Sequence, residues 1–178
     1  PWEDAALVVP NTRMLDKTDP QTAEKYLPFV ASVIVWLRNA GLRPALLLHT
    51  PEDEQLVPPL LDLAGNAIPV LRESCPVALK GILGTARIVV SSRFHALVGA
   101  LSQGVPAVAC GWSHKYDELL RQYDCPECLL RVDDGPRLAE KLGPLVDPAT
   151  HAELVARIRS AATRLRHEVE QMWQAVDA

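Results

Sequence analysis

Hydrophobic and polar positions alternate along the chain in two patterns. Short, fully apolar runs such as 5–9 and 87–90 are typical of strands that are buried on both faces of a parallel sheet. Between these runs, apolar residues recur every three or four positions, as in helices that cover one face of a sheet. The alternation therefore predicts an α/β fold, a Rossmann-like parallel sheet flanked by helices.

Turn and capping residues give the predicted elements their limits. Strands are predicted over 5–9, 45–48, 68–71, 87–90, 105–109 and 128–132. Asp19 and Pro20 predict the start of the first long helix and Gly41 its end, with Pro28 as a point where it kinks or truly begins. Pro69 marks the third strand as an edge strand. Further helices are predicted from residue 51 and over 75–83, 94–103, 116–121 and 136–142.

The C-terminal segment has a different pattern, a single apolar stripe at helical spacing over residues 147–178. The stripe consists of Leu154, Ile158, Ala161, Leu165, Val169, Met172 and Val176. Two interpretations remain open: a helix that lies on its own sheet, or a helix that reaches a second domain absent from this sequence. Because the chain contains no repeat or low-complexity linker, residues 1–178 are expected to form one Rossmann-like domain.

Composition narrows the function classes. The chain has 178 residues, 48% of them hydrophobic, with 18 Lys and Arg against 22 Asp and Glu. This acidic balance argues against a nucleic-acid partner, which needs clustered cations. No apolar run approaches the ~18 residues of a membrane span. The chain starts at Pro1 without a signal-peptide pattern, so we expect a piece of a longer cytoplasmic protein.

Cysteine spacing suggests chemistry at one place only. Cys125 and Cys128 form a Cys-x-x-Cys pair, but they have no second pair and lead directly into an apolar run. We therefore expect thiols that pack in the core and no metal site, with a redox or zinc role as the alternative.

The candidate chemistry lies where the fourth predicted strand turns into a helix. Ser91, Ser92, Arg93 and His95 follow this strand, and ligands bind beyond the carboxyl ends of parallel strands. Hydroxyls, helix-opening N–H groups and a guanidinium suit a phosphorylated or carboxylated anion, and a histidine can move a proton near neutral pH. Lys115 follows the next strand and is expected at the same edge. Taken singly, each residue also fits a helix cap or a solvated charge.

Residues 91–120 as a whole, SSRFHALVGALSQGVPAVACGWSHKYDELL, resemble the signature of the polysaccharide pyruvyl transferase family. That signature combines a Ser/Gly-x-Arg-x-His-Ala helix, a Gly-x-Pro strand and an aromatic-x-x-Lys segment. The resemblance extends with lower specificity over about residues 5–133, where Arg13 and His49 follow the first two strands. Trp112 stands where the family usually has tyrosine.

This resemblance implies a two-lobed fold like that of B-type glycosyltransferases, with this chain as the C-terminal lobe and the N-terminal lobe missing. The implied reaction transfers the enolpyruvyl group of phosphoenolpyruvate to a sugar, releases phosphate and leaves a pyruvate ketal. Phosphoenolpyruvate is then a co-substrate, and no cofactor is expected. The implied acceptor is a glycan or lipid-linked sugar of a bacterial cell-envelope or secreted polysaccharide. A single lobe is expected to bind weakly and turn over little.

The resemblance also assigns roles to individual residues. Arg93 and His95 are the implied catalytic pair, with Arg93 on the donor and His95 as the general acid or base. The remaining implied donor-binding residues are Ser91, Ser92, Lys115, Arg13 and His49. Trp112 is the implied platform for the acceptor sugar.

Two other functions remain open. The first is a nucleotide-sugar glycosyltransferase or epimerase lobe of the same architecture, although the Gly-rich turn and the ribose-binding Glu common in such lobes are absent after residue 90. Gly-x-Gly-x-x-Gly and P-loop motifs are also absent, so a dinucleotide cofactor or NTP hydrolysis is not expected. The second is a non-catalytic interaction module that uses the C-terminal helix as its contact surface.

Overall fold

The computed structural model describes residues 4–65, 68–111 and 113–176. Within these ranges, six strands form one parallel sheet with the spatial order β3-β2-β1-β4-β5-β6. The strands are β1 (Ala6–Val9), β2 (Pro44–Leu48), β3 (Val70–Arg72), β4 (Ile88–Ser91), β5 (Ala107–Cys110) and β6 (Leu129–Leu130). Each overlaps a predicted strand, and β3 is an edge strand as predicted.

Helices connect consecutive strands and cover the sheet. They are α1 (Arg13–Asp16), α2 (Pro20–Asn39), α3 (Val57–Leu63), α4 (Pro76–Gly84), α5 (Phe94–Leu101), α6 (His114–Gln122), α7 (Leu138–Val146) and α8 (Pro148–Val176). Short 3-10 turns occupy Pro51–Leu56, Pro126–Cys128 and Val132–Arg137. The Asp19 carboxylate caps α2 by accepting the Thr22 N–H at 3.0 Å, and the helix runs through Pro28 from its start at Pro20. A helix start at Pro28 is therefore excluded.

The strand order places a crevice in the middle of the sheet. The chain moves outward in one direction from β1 to β2 and β3, and in the other direction from β4 to β5 and β6. The connections after β1 and β4 therefore diverge and leave a gap at the carboxyl ends of these two neighbouring strands. Such a switch point is where open parallel sheets bind their ligands.

The two closely spaced cysteines lie in the core. Cys125 and Cys128 are free thiols with no exposed surface. The hydrogen bond that the Cys128 thiol makes to Cys125 and its burial both raise the pKa of Cys128, which keeps the thiol protonated. Among the described residues, no group of His, Cys, Asp and Glu side chains is arranged to hold a metal ion. These surroundings suit thiols that contribute packing.

The long helix α8 has a covered half and an uncovered half. Leu154, Ile158 and Ala161 are buried against the rest of the fold. The same stripe then continues over Val169, Met172 and Val176, and these residues and the adjacent Trp173 are 50–69% exposed. The first half therefore lies on its own domain, and the second extends beyond it with apolar side chains in solvent. In the described part of the chain, no helix has the length and apolarity of a membrane span.

This division predicts a clear difference between two variants. Ending the chain after Glu168 removes exposed side chains and should lower the free energy of unfolding by less than about 1 kcal/mol. Ile158→Ala opens a cavity beneath the same helix and should cost about 2–4 kcal/mol. Urea unfolding followed by circular dichroism measures both values. A truncation as costly as Ile158→Ala would mean that the last two turns are covered in solution.

Candidate functional site

Loops after β1, β2 and β4 meet at the switch point, and the carboxylate of Asp53 joins them. Asp53 lies in the 3-10 turn after β2 and is completely buried. Its Oδ1 accepts hydrogen bonds from the N–H and hydroxyl of Thr12, at 3.1 and 3.3 Å. Its Oδ2 accepts from the N–H and hydroxyl of Thr50, both at 3.3 Å. One side chain thus fixes the loops that follow β1 and β2.

The side chain of Arg93 extends from the end of β4 across β1 to reach this carboxylate. Its Nη2 donates to Asp53 Oδ1 at 2.5 Å and to Thr50 Oγ1 at 2.9 Å. The Arg93 side chain is 18% exposed, and its buried Nε has no hydrogen-bond partner among the described residues. The predicted donor-binding arginine is therefore held firmly, with only a small part of its side chain at the surface.

That exposed part lines a polar cleft of about 470 Å³ at the switch point. The cleft is lined by Thr12, Arg13, Leu15, Asp16, Thr50, Glu52, Gln55 and Arg93. Arg13 is exposed and lies 3.2 Å from the Asp16 carboxylate. The nearby donors on its own backbone and on Thr50 lower the pKa of the Glu52 carboxyl, with smaller effects from the charges of Arg93 and Arg13. We call this space the switch-point cleft; it presents two guanidinium groups and two carboxylates.

A second polar network holds the backbone on the β4 side. The Tyr26 hydroxyl accepts the N–H of Asn11 at 2.9 Å and donates to Ser92 Oγ at 3.0 Å. The carbonyl of Ser92 accepts from Asn11 Nδ2 and from the Tyr116 hydroxyl, at 2.9 and 3.0 Å. The Ser91 hydroxyl accepts the Arg93 N–H at 2.9 Å. Both serines are buried and position the loop, so their direct contact with a donor stays a prediction.

His95 and Lys115 flank the aromatic ring of Phe94 at the start of α5. His95 is exposed, and its ring centre lies 6.1 Å from that of Phe94 in an edge-on arrangement. Lys115 Nζ lies 4.9 Å from the same ring centre and 5.5 Å from that of Tyr116. The structure therefore brings Lys115 to the edge of the sheet that holds Arg93 and His95, as predicted. Trp112, the predicted acceptor platform, lies outside the described residues.

His49 lies beside the switch-point cleft, at the end of β2. It is half-buried and lines a neighbouring cleft of about 490 Å³, which also contains Thr50, Arg72 and Ser74. Burial lowers its pKa, and the charges of Arg93 and His95 lower it further, whereas Asp53 opposes the shift. The imidazole is therefore neutral at pH 7 and able to accept a proton.

Sequence reasoning missed Asp53 and Thr50 as parts of the site. Glu52, Asp53 and Glu54 all lie near the start of the helix predicted from residue 51, yet the fold buries only Asp53. A signal was available, because Thr50 and Asp53 have the spacing of a Ser/Thr-x-x-Asp/Glu cap. That signal indicates a helix start but not a partner 40 positions away in Arg93.

Comparison with known families decides the affiliation. A family model for polysaccharide pyruvyl transferase matches residues 16–114, more than half of the chain. The chain belongs to this family. The matched range contains His49, Asp53, Arg93 and His95, while Arg13 and Lys115 lie just outside it. The suspected resemblance is thereby confirmed.

Solved structures confirm the Rossmann-like fold of this pyruvyl transferase family member. A UDP-GlcNAc 2-epimerase from Neisseria meningitidis, bound to UDP-GlcNAc, has a TM-score of 0.59 at 10% identity, covering 95% of this chain and 44% of that one. MnaA of S. aureus, in a co-structure with UDP, has a TM-score of 0.54 at 11% identity, covering 97% of this chain and 46% of that one. The calicheamicin glycosyltransferase CalG4 has a TM-score of 0.52 at 16% identity, covering 95% of this chain and 42% of that one. The chain thus spans less than half the length of these proteins. No curated protein matches it significantly.

The buried ion pair makes a prediction about stability. Arg93→Ala leaves the Asp53 carboxylate buried without its cation and should lower the free energy of unfolding by about 3 kcal/mol. The matched control is Arg72→Ala, because Arg72 pairs with Glu54 on the same 3-10 turn but both side chains are more than half exposed. That variant should change stability little. Equal losses in chemical denaturation would contradict a special role for the buried pair.

The environment of His49 predicts its titration. Its NMR titration midpoint should lie below the ordinary value of 6.5, and Arg93→Gln should raise it by removing a nearby positive charge. The folded protein favours the uncharged ring, so the pKa of His49 is lower in the folded than in the unfolded chain. Its contribution to the free energy of unfolding is therefore complete above about pH 6.5 and is lost as the pH falls through the folded pKa. His49→Gln assigns the resonance. A midpoint at or above 6.5 would contradict the inferred burial.

Proposed function

We propose that this chain is the donor-binding lobe of a pyruvyl transferase and that phosphoenolpyruvate binds in the switch-point cleft. The observation that supports this most strongly is the fixed guanidinium of Arg93 at the edge of that cleft, in a member of this family. Phosphoenolpyruvate carries a carboxylate and a phosphate, and such a ligand needs several oriented donors and cations. Arg93, Arg13 and Gln55 provide them around one space.

The two arginines are expected to behave differently when the donor binds. Arg93 is held by a buried carboxylate, so its contact with the donor requires no rearrangement. Arg13 is exposed and pairs with an equally exposed Asp16, an interaction of little net stability. Arg13 can therefore exchange Asp16 for the donor phosphate or carboxylate. Lys115 adds a further positive charge near the start of α5.

The chemistry requires two kinds of proton transfer. A proton added to the methylene carbon of phosphoenolpyruvate makes C2 electrophilic, and an acceptor hydroxyl attacks C2 while losing its own proton. Phosphate then leaves, and a second hydroxyl closes the pyruvate ketal with loss of its proton. His95 is the proposed acid or base because it follows Arg93 at the start of α5 and is exposed.

A second lobe is part of the proposal. The solved structures with this fold are more than twice as long as the region that this chain matches. We assign binding of the acceptor sugar to an N-terminal lobe of the complete cytoplasmic enzyme, with a cell-envelope or secreted polysaccharide as the product. The exposed apolar half of α8 is the surface that we expect this lobe to cover.

Donor binding is the first test. The chain is titrated with phosphoenolpyruvate and, in parallel, with UDP, by calorimetry and by 15N NMR. Phosphoenolpyruvate should shift signals around Arg93 and Arg13, and Arg13→Ala should weaken its affinity. Binding of UDP without phosphoenolpyruvate would support a nucleotide-sugar enzyme instead. Absence of phosphoenolpyruvate binding to the folded chain at millimolar concentration would contradict the proposed donor site.

The role of His95 is tested in the complete enzyme. His95→Ala should reduce transfer by about 10²–10⁴-fold, because a proton-transfer group is lost, while donor affinity stays close to that of the wild type. His167→Ala is the matched control, since His167 is exposed on α8 and bonded only to Gln171 among the described residues. Rates come from phosphate release. Equal rates for both variants would remove His95 from the mechanism.

A further inference from the structure

We propose that Asp53 is a positioning residue for the donor site: it orients the Arg93 guanidinium so that one edge stays turned toward the switch-point cleft. The expected effect of Asp53 on phosphoenolpyruvate binding rests on the proposed function, whereas the orientation of Arg93 by Asp53 does not. Nη2 of Arg93 is engaged by Asp53 and Thr50, and Nε is buried. Nη1, which has no hydrogen bond to the described residues, is then the nitrogen left for a ligand.

The carboxylate is held as firmly as the arginine that it orients. Oδ1 accepts from two groups of Thr12 and from Arg93, and Oδ2 accepts from two groups of Thr50. Two of these five donors are backbone N–H groups, so the carboxylate position is tied to the ends of β1 and β2 themselves. Arg93 is thereby oriented relative to the sheet and not to a mobile loop.

The chemistry of the position requires a carboxylate. Each oxygen of Asp53 faces a backbone N–H, from Thr12 on one side and Thr50 on the other. In Asp53→Asn the amide NH₂ group must face one of these donors in either orientation, and the negative charge that holds Arg93 is lost. Arg93 then becomes free to turn toward solvent or toward the Glu52 carboxylate in the same cleft.

A matched control exists elsewhere in the chain. Asp134 is also the third residue of a 3-10 turn, Val132–Arg137, and its carboxylate also accepts the N–H of the residue before that turn, Arg131, at 2.8 Å. Its contact with Arg137 is long, at 4.0 Å, and the Arg137 side chain is exposed. Asp134→Asn therefore makes the same substitution in the same local motif without affecting Arg93.

The decisive experiment compares Asp53→Asn and Asp134→Asn in the free protein and with phosphoenolpyruvate. In the free protein, the guanidinium 15N–1H signals of Arg93 should show restricted rotation in the wild type and in Asp134→Asn, and averaged rotation in Asp53→Asn. Phosphoenolpyruvate affinity should fall by roughly tenfold or more in Asp53→Asn only. Restricted signals with unchanged affinity in Asp53→Asn would overturn the proposal.

The experiment distinguishes failure of the proposed function from failure of the proposed role of Asp53. If the wild-type chain does not bind phosphoenolpyruvate, the proposed function fails, while the guanidinium signals still decide whether Asp53 positions Arg93. If Asp53→Asn loses its near-UV circular dichroism, Asp53→Glu replaces it, because this change keeps the negative charge but moves the carboxylate away from the N–H groups of Thr12 and Thr50. Faster rotation of the Arg93 guanidinium in Asp53→Glu supports the proposal, and rotation unchanged from the wild type overturns it.

Discussion

A carboxylate that the fold removes completely from water is the constraint on which the whole crevice depends. A buried charge is tolerated only when a counter-charge and hydrogen-bond donors surround it, and Asp53 obtains them from Thr12, Thr50 and Arg93. These residues come from the connections after β1, β2 and β4. Satisfying one side chain therefore requires that three loops take up fixed positions relative to one another. The position of the arginine at the cleft is a consequence of this requirement.

The sheet makes the arrangement possible because of its strand order. β1 lies between β2 and β4, so a side chain from β4 must cross the end of β1 to reach the turn after β2. The backbone at the end of β1 would otherwise leave unpaired polar groups under that crossing. Asn11 and Thr12 solve this problem: the Asn11 N–H bonds the Tyr26 hydroxyl, and the Thr12 N–H bonds Asp53. The two polar networks thus meet at adjacent residues of a single loop.

The separation along the sequence between two interacting residues explains which features of the structure could be predicted from the sequence. Apolar runs and the Asp19–Pro20 cap act locally, and they located the strands and the start of α2 well. Arg93, His95 and Lys115 were placed at one edge because strand ends share an edge in any parallel sheet. The pairing of Asp53 with Arg93 spans 40 positions and depends on strand order, which periodicity does not encode. The burial of Ser92 likewise depends on Tyr26 and Tyr116, which are distant in sequence.

The charge balance of the cleft indicates what Arg93 contributes. Its positive charge is already matched by Asp53, so it adds little net attraction for an anion at long range. What it offers is a donor whose direction is fixed before the ligand arrives, and pre-organisation of this kind reduces the entropy lost on binding. In the described part of the chain, the other cations near Arg93 are Arg13, whose partner Asp16 is exposed, and Lys115, which lies against the rings of Phe94 and Tyr116. Orientation and attraction are thus supplied by different residues, and a multiply charged donor such as phosphoenolpyruvate requires both.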